Sequence, residues 1–118
     1  MSLKEIGEFG FIRRIEAGCM TRPEGVVQAI GDDAGAYRPE PGRLGLITTD
    51  LLVERVHFLR DRISGAELGH KSLAVNLSDI AAMGGTAREA VVSMAVPESC
   101  PVDYLDAFYE GMKTLAAA

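Results

Sequence analysis

The stretch from Gly65 to Gly84 constrains this chain more than any other. Residues 66–83 run without proline into Gly84-Gly85, and Leu73, Leu77, Ile80 and Ala81 recur at the spacing of one helix face. This predicts a long helix over 66–83 that must lay its apolar side on other elements, with the glycine pair as its stop. The opposite arc would ordinarily be charged and solvated. It carries instead Ser72, Asn76 and Asp79, stacked in one stripe by steps of four and three and flanked by Ala74, Val75, Ala82 and Met83. A carboxylate set among alanines is costly to bury unless it is paired or holds a metal. Taken alone, Asp79 is most simply a solvent-facing aspartate, so its meaning depends on what the rest of the chain brings near it.

Two further helices and a β-layer surround that element. Ile6, Phe9, Ile12 and Ile15 recur every third position and predict an amphipathic helix over 4–17, ended by Gly18. Residues 26–30 read as a short strand that runs into Gly31-Asp32-Asp33, and 34–37 as a second strand. Pro39-Glu40-Pro41-Gly42 reads as a hairpin turn, and 44–49 as a strand that delivers Asp50 at its C-terminal end. Residues 89–96, stopped by Pro97, form a fourth strand. Pro101 opens a last helix through Tyr104, Leu105, Phe108, Met112 and Leu115. Phe9, Phe11, Tyr104 and Phe108 are the expected aromatic core. The order α-β-β-β-α-β-α predicts an α/β (α+β layered) fold, a mixed sheet of about four strands with helices on one face. So narrow a sheet has open edges. The last helix also runs to Ala118 without a cap, so a further domain or a second subunit is expected to complete the layer.

Composition narrows the function classes. At 118 residues and 47% hydrophobic, the chain suits one domain with a core of its own. A net charge of −5 argues against general nucleic-acid or anionic-membrane binding, which need a basic surface. No apolar run approaches a membrane span, and the N-terminal MSLKEIGEF has no apolar signal core. Cys19 and Cys100, without CxxC spacing, speak against a disulfide framework or a zinc knuckle. A cytoplasmic protein is expected.

The distribution of acid says more than its amount. Asp32, Asp33, Asp50 and Asp79 sit beside Gly, Thr, Ser or Asn in apolar surroundings. In Gly31-Asp32-Asp33-Ala34 the adjacent carboxylates point to opposite sides of an extended chain, so one of the two enters any given site. Thr48-Thr49-Asp50 ends a predicted strand, where α/β sheets present functional groups. Each motif alone is weak, since Gly-Asp-Asp is also an ordinary turn. Together they offer hydroxyl and carboxylate oxygens, the hard ligands that suit Mg²⁺ and, through it, phosphate. Aspartates alone would repel a polyphosphate, by about 1 kcal/mol per charge pair at 4 Å in water and about 4 at an effective dielectric near 20. No GxxxxGK[ST], HExxH, GxSxG or kinase-type HRD/DFG set occurs.

Gly31-Asp32-Asp33-Ala34, Thr48-Thr49-Asp50-Leu51-Leu52-Val53-Glu54, Val56-His57-Phe58, the run from Lys71 to Gly85, Val92 to Pro97 and Phe108-Tyr109-Glu110-Gly111 resemble the thiamine-monophosphate kinase family. That family falls within a superfamily that includes aminoimidazole ribonucleotide synthetase and selenophosphate synthetase. The resemblance implies ATP-dependent phosphorylation of thiamine monophosphate to thiamine diphosphate with several Mg²⁺ ions. By motif position it implies Asp33, Thr48, Thr49, Asp50 and Asp79 as metal ligands, His57 at thiamine monophosphate and Tyr109 at the nucleotide. It implies an aminoimidazole ribonucleotide synthetase N-terminal-like domain over 1–118 that dimerises through its sheet. The family's C-terminal domain is expected to be missing and the chain catalytically incomplete. Arg55 departs from the family's usual small or polar residue before Val56-His57-Phe58, and Ala87 stands where proline is usual. The alternatives are a dimerisation module alone, or a superfamily relative that uses ATP on another substrate. His70 and Lys71 read as solvated, Cys19 and Cys100 as inert thiols, and Tyr109 equally as an interface aromatic.

Overall fold

A computed structural model describes residues 1–118, with elements in the order α1 (Leu3–Ile15), β1 (Val26–Gln28), β2 (Ala36–Tyr37), α2 (Gly65–Ala82) and α3 (Val102–Ala117). Helix α2 begins where Ser64 and Glu67 satisfy each other's backbone. The Ser64 hydroxyl accepts from the Glu67 N–H at 3.1 Å, and the Glu67 carboxylate accepts from the Ser64 N–H at 2.8 Å. It ends as Gly84 turns to φ +68°, with the Gly84 and Gly85 N–H groups returning to Ala81 and Ile80.

Helices α2 and α3 cross at very short range because three glycines face the contact. A Cβ on Gly65, Gly69 or Gly111 would run into the backbone oxygen of Tyr104, Phe108 or Ala66, respectively. Helix α1 lies against α3 through the core cluster of Phe11, Ile15, Cys100, Val102 and Leu105. Arg14 grips Asp106 with Nε at 2.8 and 2.9 Å and Nη2 at 2.7 Å. Gly7, at φ +68° and ψ 173°, breaks α1 into two helical pieces. A strict three-residue repeat also drifts around a 3.6-residue helix. For both reasons Phe9, expected in the core, is 71% exposed, while Phe11 and Ile15 are buried. Phe108 is buried as expected, and Tyr104 is half-buried with its hydroxyl donating to the Ile63 carbonyl at 3.1 Å.

The sheet is smaller than expected. Strands β1 and β2 pair antiparallel, Val26 opposite Tyr37 and Gln28 opposite Ala36, with an irregularity between them. The hairpin therefore turns at 29–35, around Gly31-Asp32-Asp33, and not at Pro39–Gly42. Residues 44–49 and 89–96 form no strand, so two strands replace the expected four. A strand exists only as one side of a hydrogen-bonded ladder. These segments have the right residues but no ladder partner within the chain. The consequence shows in the surface: Leu44, Ile47 and Val91 are each more than 90% exposed, and Leu51 is 80% exposed. The accessible surface is 8663 Å², against roughly 6,200 Å² for a compact monomer of this mass. No helix is long and apolar enough to cross a membrane.

Candidate functional site

The extended segment around residue 50 runs alongside the second half of α2, and the two meet at an open groove of about 410 Å³ lined by Asp50, Ala74, Val75, Ser78 and Asp79. Thr48 Oγ1 donates to Asp79 Oδ2 at 3.4 Å, a long bond that joins residues 31 apart in sequence. Two carboxylates and two hydroxyls thus lie in or beside one concavity. Both aspartates are exposed, so neither bears the cost of an unpaired buried charge.

The polar stripe of α2 divides. Ser72 Oγ donates to the Leu68 carbonyl and Asn76 Nδ2 to the Ser72 carbonyl, each at 2.8 Å, so both turn back onto their own helix. Asp79 alone of the three faces the groove, beside Ser78, a residue the sequence reading passes over. The signal for Ser78 is present, since a hydroxyl directly precedes the carboxylate just as Thr49 precedes Asp50.

Other expected site residues lie elsewhere. Asp32 Oδ1 accepts from the Asp33 N–H at 2.8 Å, which gives Asp32 a turn role and leaves the Asp33 carboxylate exposed outside the groove. Thr49 is exposed and does not line the groove. Nowhere do three or more His, Cys, Asp or Glu side chains come together.

His57 occupies a tight loop. The His57 and Val56 N–H groups both return to the Val53 carbonyl, and the Arg55 N–H reaches the Phe58 carbonyl at 2.7 Å. Arg55 takes φ +69° and is the only non-glycine residue with positive φ. The Val53 N–H donates to His57 Nδ1 at 2.9 Å, and Lys71 Nζ donates to the His57 carbonyl at 2.7 Å. Lys71, expected to be solvated, is half-buried, while His70 is exposed.

Tyr109 belongs to a second groove of about 310 Å³, lined by Arg14, Ile15, Asp106, Tyr109, Glu110 and Lys113. Its ring packs edge-on against Phe11 at 5.8 Å and Phe108 at 5.4 Å, and burial pushes its hydroxyl pKa up. The nearby Cys19 thiol is also pushed up by burial, with Lys113 pulling weakly the other way. Cys100 is buried in the core. Neither thiol has the electropositive, activated setting of a reactive cysteine.

The protein is thus an α+β chain of three helices and one antiparallel hairpin whose open groove offers carboxylate and hydroxyl oxygens, without nitrogen or sulfur donors. Residues 31–118 match the family described as AIR synthase related protein, N-terminal domain, and the chain belongs to that family. Among curated proteins it is 42% identical over 113 residues to the thiamine-monophosphate kinase of Aquifex aeolicus, covering 96% of this chain and 34% of that protein. To the thiamine-monophosphate kinase of Bacillus subtilis it is 46% identical over 87 residues, 74% of this chain and 27% of the relative. To that of Synechococcus elongatus it is 33% identical over 111 residues, 94% of this chain and 32% of the relative. The chain spans about a third of the length of these curated relatives. No solved structure gives a significant match.

Proposed function

We propose that this chain is the N-terminal, ATP- and Mg²⁺-binding domain of an enzyme that phosphorylates thiamine monophosphate to thiamine diphosphate, with ATP as phosphoryl donor. One observation carries the reading: Thr48, Asp50 and Asp79, taken from two motifs far apart in sequence, meet at one groove in a chain similar to proteins named thiamine-monophosphate kinase. Mg²⁺ bound there would neutralise charge between carboxylates and phosphates, the main requirement of phosphoryl transfer. Asp50 and Asp79 would supply carboxylate ligands, and Thr48 a neutral oxygen. Asp33 and Thr49 are assigned with them by their motifs and not by the groove. His57 is assigned to thiamine monophosphate and Tyr109 to the nucleotide. No residue need act as a general base, because the attacking atom is already a phosphate oxygen; it forms a bond to the γ-phosphorus of ATP as the bond to ADP breaks.

The second part of the reading concerns assembly. We infer that the unpaired apolar segments 44–53 and 89–96 complete a sheet with a second copy of the chain. The surface in excess of a compact monomer, about 2,500 Å², is of the size an obligate interface covers. The cytoplasm is the assigned compartment, in keeping with two unpaired thiols.

The test is a Mg²⁺ titration in the presence of a non-hydrolysable ATP analogue, with Asp50→Ala and Asp79→Ala as controls. Binding at millimolar Mg²⁺ that either substitution abolishes is the expected result. Binding indifferent to both would remove the site. The full reading frame, assayed with thiamine monophosphate and MgATP, tests the acceptor, and turnover confined to another acceptor would overturn that assignment.

A further inference from the structure

The loop that carries His57 is held from two sides, and one of the two tethers comes from α2. The Val53 N–H donates to His57 Nδ1 at 2.9 Å. That nitrogen must then be the unprotonated one, and a neutral ring carries its proton on Nε2. On the backbone side, Lys71 Nζ donates to the His57 carbonyl at 2.7 Å. Lys71 shares its helix face with Val75 and Ser78, four and seven residues on, and both line the groove with Asp50 and Asp79. The tether thus stands about 10 Å along the same rigid helix from the carboxylate site. Between the tethers the backbone passes through the positive φ of Arg55, a conformation that an L side chain does not keep without support from its surroundings.

We propose that Lys71 is a positioning residue for the acceptor substrate: with the Val53 N–H it holds the 53–58 loop so that His57 presents Nε2–H as a hydrogen-bond donor, at a fixed distance from the carboxylate groove. The proposal deepens the functional reading above and rests on its assignment of His57 to the acceptor. Lys71 acts through the loop, because the contact its ammonium makes is with the His57 backbone carbonyl.

The test uses the full reading frame that encodes this chain. Lys71→Met keeps the stem and removes the ammonium, and Lys71→Arg restores a cationic donor. Lys71→Met should raise KM for thiamine monophosphate about tenfold, with kcat and KM for ATP within about twofold, and Lys71→Arg should recover most of the loss. Ring ¹⁵N shifts of His57 should show the Nε2–H tautomer in the wild type and a mixed population in Lys71→Met. The proposal is overturned by an Nδ1–H tautomer in the wild type, by equal losses in both KM values, or by a fall in kcat alone. It is also overturned if His57→Ala raises KM for the acceptor and Lys71→Met does not. If His57→Ala leaves that KM unchanged, the assignment of His57 to the acceptor fails first and takes the role of Lys71 with it. The wild-type tautomer reads the clamp even if Lys71→Met fails to fold.

Discussion

Replacing Gly69 by alanine tests the central packing contact of the fold. In an isolated helix this change is favourable by about 1 kcal/mol, because alanine has the higher propensity. Here the new methyl would overlap the Phe108 carbonyl oxygen and lie 3.1 Å from the Met112 nitrogen. Neither atom belongs to a flexible side chain, so the overlap is relieved only by moving α2 and α3 apart, on the order of 1 Å for an ordinary carbon–oxygen contact. Inserting a methyl into a filled contact costs about 1–3 kcal/mol. The upper part of that range applies because a whole helix must shift, and each heavy-atom pair drawn apart loses a share of its about 0.1–0.2 kcal/mol of dispersion energy. After the propensity gain, a net loss of about 1–2 kcal/mol is expected. Urea denaturation followed by circular dichroism measures it, with Gly10→Ala as comparison, where the new methyl meets only the Ile6 side chain of its own helix. Gly111→Ala should cost a similar amount, and the double substitution less than the sum, since one separation relieves both clashes. A Gly69→Ala protein as stable as the wild type, or more so, would refute the close crossing.

Three further outcomes follow from other parts of the molecule. Arg55→Gly should stabilise the protein by up to about 1 kcal/mol, because glycine adopts the φ of +69° without strain; a loss of stability would show that the arginine side chain contributes more than its backbone costs. Ser64→Ala should cost about 1 kcal/mol through the lost cap of α2. The Glu67 carboxyl sits below its ordinary value of 4.5, first because it accepts the Ser64 N–H and second because of the Ser64 hydroxyl. Its stabilising effect is therefore complete above pH 4.5 and lost as pH falls through the lower folded value. An NMR titration of Glu67 should show Ser64→Ala moving the carboxyl only part of the way back, since the backbone donor remains. Ile47→Glu, at a side chain 97% exposed in the single chain, should leave monomer stability within about 0.5 kcal/mol but abolish self-association in light scattering; a dimer that survives it would exclude pairing through this segment.

The helices were legible in the sequence because their signals are local. The α2 boundaries follow from a continuous apolar period with a Gly-Gly stop, and the observed Gly65–Ala82 lies within one residue of the expected span. The start of α3 follows from Pro101, and β1 from the β-branched Val26-Val27 before Gly31-Asp32-Asp33. The breaks in legibility are equally physical. Phe9 repeats with the right residues at a spacing that α1 does not hold, because Gly7 resets the chain direction. The close approach at Gly65, Gly69 and Gly111 is a property of two helices, and no single-helix pattern encodes it.

The site divides along the same line. Asp79 lies on a helix whose course is locally determined, and Thr48 and Asp50 reach it because segment 44–50 runs past that helix. Ser72 and Asn76 share the stripe in projection, yet both are captured by carbonyls one turn back, a competition that periodicity does not reveal. Asp33 lies in the β1–β2 turn and Thr49 at the end of segment 44–49, both outside the groove. The strand-forming residues at 44–49 and 89–96 have no ladder in the single chain. Strand pairing is a relation between segments, or between chains, so β propensity at Leu44, Ile47 and Val91 states a readiness to pair without naming the partner. If a second copy supplies a strand to 44–49, as proposed, the same pairing would fix the end of that segment, where Thr49 and Asp50 stand.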